Sequence, residues 1–377
     1  MSDQPGAALE PAIGDAPLVA EPITAGRPTL WPTVPRPVLV ARVVIGVAIA
    51  VAAVYAPFYF EPAMNRVLSQ AIYLAIAAMG LNLLTGFNGQ VSIGHGAFFG
   101  VGAFTSAILI VDHGWSYEPT IVVAALLAGG VGVLVGVPAL RVRGLYLALV
   151  TLGLAVLFPR VAQKFVDGVG GVALLRPPRA SFSSLIEGLD DDQWAYLLSL
   201  AILVVLFVAA RNLVRGRVGR AMIAVRDQEI AATTVGVGLA GTKVATFAIS
   251  AAYAGVAGSL SVMVDGIADG TNPILYFQRS IEFLVAVVIG GAATILGPAV
   301  GALLLVLLRR NTEDLIEGKE ILAPAIFGAA LIAIVFIVPE GVVGGVHRLL
   351  ARLGRRSAAR AAVAAAASTP PDANDSQ

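Results

Sequence analysis

The chain has 377 residues, of which 58% are hydrophobic and only 13% charged, with no cysteine and a net charge of +1. Soluble domains carry about 25% charged residues, so a mean hydropathy of +0.86 with this charge deficit excludes a water-soluble protein and makes lipid the main solvent. The near-zero net charge gives no basis for a nucleic-acid partner, and the missing cysteines exclude disulfides, zinc-thiolate sites and iron–sulfur clusters.

Residues 1–35, rich in Pro, Ala and Gly, read as a disordered extension. They lack the basic start and apolar core of a signal peptide. Beyond them, about 20 mainly apolar residues are needed to cross the hydrocarbon core. Val43–Phe60 meets that need, and Val67–Val111 is long enough for two crossings around a polar, Gly-rich break at Asn88–Gly96. Thr120–Pro138, Gly144–Ala162 (broken by Pro159 and Arg160), Trp194–Ala210, Lys243–Val264, Phe283–Leu308 and Ile321–Pro339 follow. The expected fold is an all-α polytopic membrane helical bundle with about eight spans. Residues 36–350 form its transmembrane domain, and 351–377 read as a second disordered tail.

Arginine placement sets the orientation. Arg36 and Arg42, Arg141 and Arg143, the cluster from Arg211 to Arg226, and Arg348 to Arg356 mark the cytoplasmic side, with both termini inside. The alternate connections carry Asp112 and Glu118, Glu187 with Asp190–Asp192, and Asp265 with Asp269. Parity then favours a re-entrant path for the stretch 281–308 over the alternative of one long tilted helix. Its interruptions at Gly290, Gly291, Gly297 and Pro298 predict two half-length helices that enter and return on the outer side. Broken backbone at membrane depth survives only inside protein or beside a water-filled cavity.

The run Gly80–Thr105 concentrates Asn82, Asn88, Gln90, Ser92 and His95 in otherwise apolar sequence. Each must find a hydrogen-bond partner in hydrocarbon. The cluster fits a protein-lined substrate pathway, and it fits equally a packing network in which these groups satisfy one another. Small-residue pairs Gly96/Gly100, Gly132/Gly136 and Gly297/Gly301 fit close helix contact.

The cytoplasmic loop 211–243 is much longer than the usual 2–8 residues between bundle helices. Gly219–Val235 predicts a helix closed by Gly236, with Met222, Val225 and Ile230 as an apolar stripe and Arg226, Asp227, Gln228 and Glu229 as its polar face. Such a helix suits docking on a partner protein, or lying on anionic lipid headgroups. The loop 163–193 is its extracytoplasmic counterpart. No phosphate-binding G-x-x-x-x-G-K-[ST] motif and no hydrolase motif occurs. The three histidines show no metal-ligand spacing. No ATPase site, catalytic residue, metal or cofactor is expected.

Several ordered blocks resemble one family. G-L-N-L-L-T-G and G-Q-V-S-I-G-H within Gly80–Thr105, R-V-R-G-L-Y-L-A-L-V-T-L-G at Arg141–Gly153, and R-D-Q-E-I-A-A-T-T-V-G-V at Arg226–Val237 are similar to branched-chain amino-acid ABC permeases of the LivM type. Thr242–Leu260 and Ser280–Gly301 extend the resemblance over about residues 65–345. It implies a membrane subunit of an importer, paired with a second homologous permease subunit, two cytoplasmic ATPase subunits and an extracytoplasmic solute-binding protein in the cell inner membrane. It further implies ATPase coupling by Arg226, Asp227, Gln228, Glu229, Ala232 and Gly236, a pathway lined or braced by Asn82, Gln90, Ser92 and His95, and a structural or gating role for Glu282. Two positions depart from the family pattern: Gly168–Leu174 reads G-V-G-G-V-A-L where a T-G-G-x-N-G-like run is common, and Gln228 stands for the usual Asn. Permeases for urea and related small solutes share the signature. An ion-coupled carrier would place paired charges at mid-membrane, which these spans lack.

Overall fold

The computed structural model describes residues 36–142, 144–166, 174–178, 182, 188–272 and 274–314, together with 328, 329, 332, 333, 336 and 341–345. The expected tails 1–35 and 351–377, and most of the last expected span, lie outside the described residues. The chain divides between Ala53 and Val54 into two compact units. The described part of the first is helical and exposes Val44, Val47, Ile49 and Val51. It is the start of α1 (Arg36–Tyr59).

The second unit is an all-α membrane bundle. Its described helices are α2 (Pro62–Leu81), continued by a π-helical turn (Asn82–Phe87), α3 (His95–Val111), α4 (Tyr117–Ala139), α5 (Leu145–Phe165), α6 (Asp191–Arg215), α7 (Arg217–Asp227), α8 (Glu229–Thr234), α9 (Leu239–Asp265), α10 (Leu275–Gly290) and α11 (Gly297–Asp314). A two-residue antiparallel bridge joins β1 (Leu174–Leu175) to β2 (Ala268–Asp269). Five described helices are long and apolar enough to cross a membrane: α2 with its π turn, α4, α5, α6 and α9. That is three fewer than the expected eight, because Gly46–Tyr59 of α1 and the whole of α3 are shorter apolar helices and most of the final stretch falls outside the described residues; the hairpin of α10 and α11 stands apart from the eight, as expected. Pro159 does not break α5 as expected; the helix runs through it. Membrane helices tolerate an interior proline where neighbours re-satisfy the freed carbonyl.

Burial sorts these helices into two classes. α2 and α9 lie almost wholly inside the unit. α4, α5 and α6 turn Leu126, Leu134, Tyr146, Leu157 and Val205 outward, all more than half exposed. Such apolar perimeters suit lipid, whereas water would drive them inward. Lipid tails are as apolar as leucine, so helix association here rests on close van der Waals packing of small residues. A Cβ on Gly258 of α9 would run into the Phe99 carbonyl of α3, and one on Gly102 into the backbone of Gly255. Gly132 and Gly136 of α4 face Ala251 and Phe247 of α9, as their spacing predicts.

α10 and α11 are antiparallel, with Gly301 against Ala286 and Gly290 against Gly297 so closely that no side chain fits between them. Gly291 (φ 112°) and Ala293 (φ 58°) make the turn. At 1.5 Å per residue, α10 reaches about 24 Å, so the hairpin penetrates deeper than half-length helices. Its open end lies beside Asp265, at the acidic end of the bundle, and its tip reaches the π turn. The basic loop residues Arg211 to Arg226 occupy the opposite end, on α6 and α7. The entry and return expected for 281–308 therefore occur on the acidic, outer side.

Candidate functional site

The α-helical ladder of α2 loosens at Asn82 into the π turn, a form that recurs at functional sites. Asn88–Gly94 then runs without helix, closed by a bond from the Gln90 N–H to the Leu84 carbonyl and turned at Gly89 (φ 74°). Three structures meet at this break. The Asn82 amide clasps the hairpin tip: the Ala293 N–H donates to Oδ1 at 2.9 Å, and Nδ2 donates to the Thr294 carbonyl at 2.7 Å. From the basic end, Arg226 Nη1 donates to the Gly86 carbonyl at 3.0 Å, and its stem packs on Gly89. Gln90 Nε2 approaches the Lys243 carbonyl at 3.4 Å. Lys243, 7% exposed at the start of α9, ion-pairs with Glu229. A cavity of about 120 Å³ opens among Asn88, Gln90, Val225, Arg226, Glu229 and Lys243.

At this cavity and beyond it, polar groups sit buried without partners among the described residues. Both amide atoms of Asn88, the Ser92 hydroxyl and both ring nitrogens of His95 make no hydrogen bond of standard geometry. The Ala77 carbonyl lies near the His95 ring without completing such a bond. Orphaned buried polar groups are rare, and each calls for an explanation such as water or a passing ligand. His95 is also a member of an aromatic chain. Its ring centroid lies 6.0 Å from Phe98 and 6.2 Å from Phe283; Phe283 lies 5.5 Å from Phe99, and Phe99 lies 6.0 Å from Tyr73.

Tyr73 and Phe99 form part of the lining of a second cavity of about 540 Å³ at the acidic end. Its wall carries Asp265, Asp269, Arg279, Glu282, Arg309 and Arg310 with apolar Leu74, Leu275, Leu305 and Val306. Glu282 receives Arg279 at 2.9 Å and Arg309 at 3.3 Å, tying α10 to α11.

The expected pathway residues thus converge on one break, though with different environments: Asn82 clasps the hairpin, Gln90 leans on α9, and Ser92 and His95 are orphaned. The expected coupling residues lie at the basic end, but the single helix divides. Gln228 is extended (φ −156°, ψ 105°) and separates α7 from α8. The apolar stripe divides as well. Met222 and Val225 face the bundle's own core, while Ile230 is 81% exposed. Ala232 is buried, and Gly236 (φ 86°) follows the end of α8. Gly290, Gly291, Gly297 and Pro298 shape the hairpin tip. Arg279 is a residue that pattern reading missed. An arginine at the start of an apolar helix is costly in a membrane and was the available signal.

A lipid-facing shell around glycine-packed inner helices, with a polar break between two cavities, defines a multi-pass permease of the inner membrane. Residues 63–335 match the family described as branched-chain amino acid transport system, permease component, and the chain belongs to that family. It is 29% identical over 318 residues to the high-affinity branched-chain amino acid transport system permease protein LivM of Escherichia coli, covering 78% of this chain and 73% of the relative. Identity to the LivH permease protein of the same organism is 24% over 307 residues, covering 76% of this chain and 96% of the relative. To the BraD permease protein of Pseudomonas aeruginosa it is 25% over 302 residues, 76% of this chain and 96% of the relative. No solved structure matches the chain.

Proposed function

We propose that this chain is the membrane-spanning permease subunit of an ABC importer for branched-chain amino acids, worked by separate ATPase subunits. The observation that carries this reading is the family match across 63–335, joined by relatives whose names specify branched-chain amino acid transport. On this reading residues 36–350 are the permease domain, 163–193 its outer loop and 211–243 its cytoplasmic coupling loop. Its partners are a second, homologous permease subunit, two ATPase subunits on the cytoplasmic face and an extracytoplasmic solute-binding protein.

The two cavities suit alternating access. The larger opens at the outer end, and the aromatic chain from Tyr73 to His95 lies between it and the polar break. Solute enters the outer cavity, and movement of the aromatic layer lets it pass along Ser92, His95 and Asn88 toward the cytoplasmic cavity. Asn82 and Gln90 brace that route. ATPase motion arrives at the exposed face of α8, where Ile230 projects, and passes through Glu229–Lys243 to α9 and through Arg226–Gly86 to the π turn. Asp227 and Gln228 set the corner between α7 and α8, and Ala232 and Gly236 fix the far end of α8. Glu282, with Gly290, Gly291, Gly297 and Pro298, lets the hairpin shift as one body.

The test is reconstitution of the assembled complex in liposomes with its binding protein. ATP-dependent leucine uptake that ceases without ATP is the expected result. Uptake by this chain alone, driven by an ion gradient, would overturn the reading.

A further inference from the structure

We propose that the outer cavity is a recognition site for the zwitterionic head of an α-amino acid, with Asp265 holding the ammonium and Arg279 the carboxylate. This deepens, and rests on, the reading of the chain as an amino-acid permease. Tyr73 links the two charges. Its hydroxyl donates to Asp265 Oδ2 at 3.0 Å, and its ring carries the Arg279 guanidinium 6.0 Å from the centroid. One rigid, buried side chain therefore spaces a carboxylate from a guanidinium.

Each pole keeps capacity for a ligand. Asp265 accepts from two neutral donors, Tyr73 and Gln70 Nε2 at 3.0 Å, and makes no ion pair among the described residues. A carboxylate offers about four lone-pair sites, so two remain for an ammonium whose charge it would balance. Arg279 gives one of its N–H groups to Glu282 among the described residues. Guanidinium has about five donors in a fixed fork, suited to a two-point grip on carboxylate. The Glu282 bond holds that fork without consuming it.

The remaining wall fits the rest of such a molecule. Leu305 and Val306 present apolar surface within the same cavity. Its 540 Å³ lies within the roughly 300–1,000 Å³ of small-molecule sites. Within a wall that carries three acids and three arginines, the pair Asp265 and Arg279 beside apolar Leu305 and Val306 favours molecules bearing both charges and an alkyl side chain. A molecule lacking the ammonium leaves Asp265 without a cationic partner, and one lacking the carboxylate leaves the Arg279 donors not held by Glu282 unmet.

The experiment measures binding to the full chain in lipid nanodiscs, using radiolabelled leucine with 3-methylbutylamine and 4-methylpentanoate as competitors. The first lacks the carboxylate and the second lacks the ammonium. Leucine is expected to bind saturably, and each competitor at least about tenfold more weakly, the worth of a hydrogen bond to a charged group. Asp265→Asn should weaken leucine by a similar factor of about ten while leaving 4-methylpentanoate unchanged; Asp265→Glu should recover most of the loss. Equal binding of leucine and either competitor by the unaltered chain, or no leucine binding, overturns the proposal without needing any variant to fold. ATP-driven leucine uptake by the assembled complex separates the two readings. Uptake without discrimination in this cavity sinks the recognition site alone, whereas an assembled transporter that takes up no branched-chain amino acid sinks the assigned function.

Discussion

Asn82 holds the backbone of Ala293 across 211 residues of sequence, accepting its N–H at 2.9 Å while its own amide donates to the next carbonyl, Thr294, at 2.7 Å. A single side chain thus satisfies a donor and an acceptor at a partly buried turn. Asn82→Ala removes both bonds and strands both backbone groups. The expected loss is about 1–2 kcal/mol, from two hydrogen bonds to partly buried backbone groups. A thermal midpoint measured in detergent should fall by several degrees, and an unchanged midpoint would show that the tip does not need this clasp.

Gly258 offers a sharper packing test. A Cβ there meets the Phe99 carbonyl, which belongs to helix backbone and cannot swing aside. Gly258→Ala should cost several kcal/mol by forcing α3 and α9 apart. Gly241→Ala, where nothing lies within 4 Å, should be neutral or slightly stabilising in a helix. The monodisperse fraction after size exclusion reports both, and similar yields for the two variants would contradict the packing.

Replacing Glu229 by Arg sets a second cation against Lys243, which is itself only 7% exposed. About 2 kcal/mol of local stability should be lost, and ATP hydrolysis in the assembled complex should continue while leucine uptake collapses. Exchanging the pair, Glu229→Lys with Lys243→Glu, should restore part of the uptake. Tight coupling retained by Glu229→Arg would remove this ion pair from the transmission route.

His95→Ala deletes a ring that makes no standard hydrogen bond among the described residues but packs against Phe98 and Phe283. Stability should drop by about 2 kcal/mol for the space left behind. Uptake should fall well beyond what that loss produces in protein level, read by comparing transport per inserted molecule. Full transport per molecule would reduce His95 to packing.

Much of this was legible in the chain. Unbroken apolar runs located α2, α4, α6 and α9, since crossing lipid leaves few alternatives to helix. The break after Phe87 announced itself through glycine and amide residues, and the hairpin through Gly290, Gly291, Gly297 and Pro298. What could not be read was direction around a helix axis. Met222, Val225 and Ile230 share a periodic stripe in sequence, yet the extended Gln228 between α7 and α8 turns Ile230 away from the other two. Pro159 was misread for a related reason, because neighbouring helices can support a backbone that proline alone would interrupt. Asp265 and Arg279 lie on different helices and are linked through Tyr73 on a third. No local spacing encodes that encounter.

The π turn at Asn82–Phe87 has a geometric consequence for whatever follows it. A π helix advances fewer degrees per residue than an α helix, so six residues wound back to α geometry would swivel the chain beyond them by roughly 100°. Little translation accompanies such a change; its output is torque. Asn82 sits at one end of this torsional element and Gly86, gripped by Arg226, near the other. On the proposed coupling role of Arg226, a modest pull on the cytoplasmic side would re-aim Asn88 and Gln90 about the axis without sliding α2 through its close-packed neighbours.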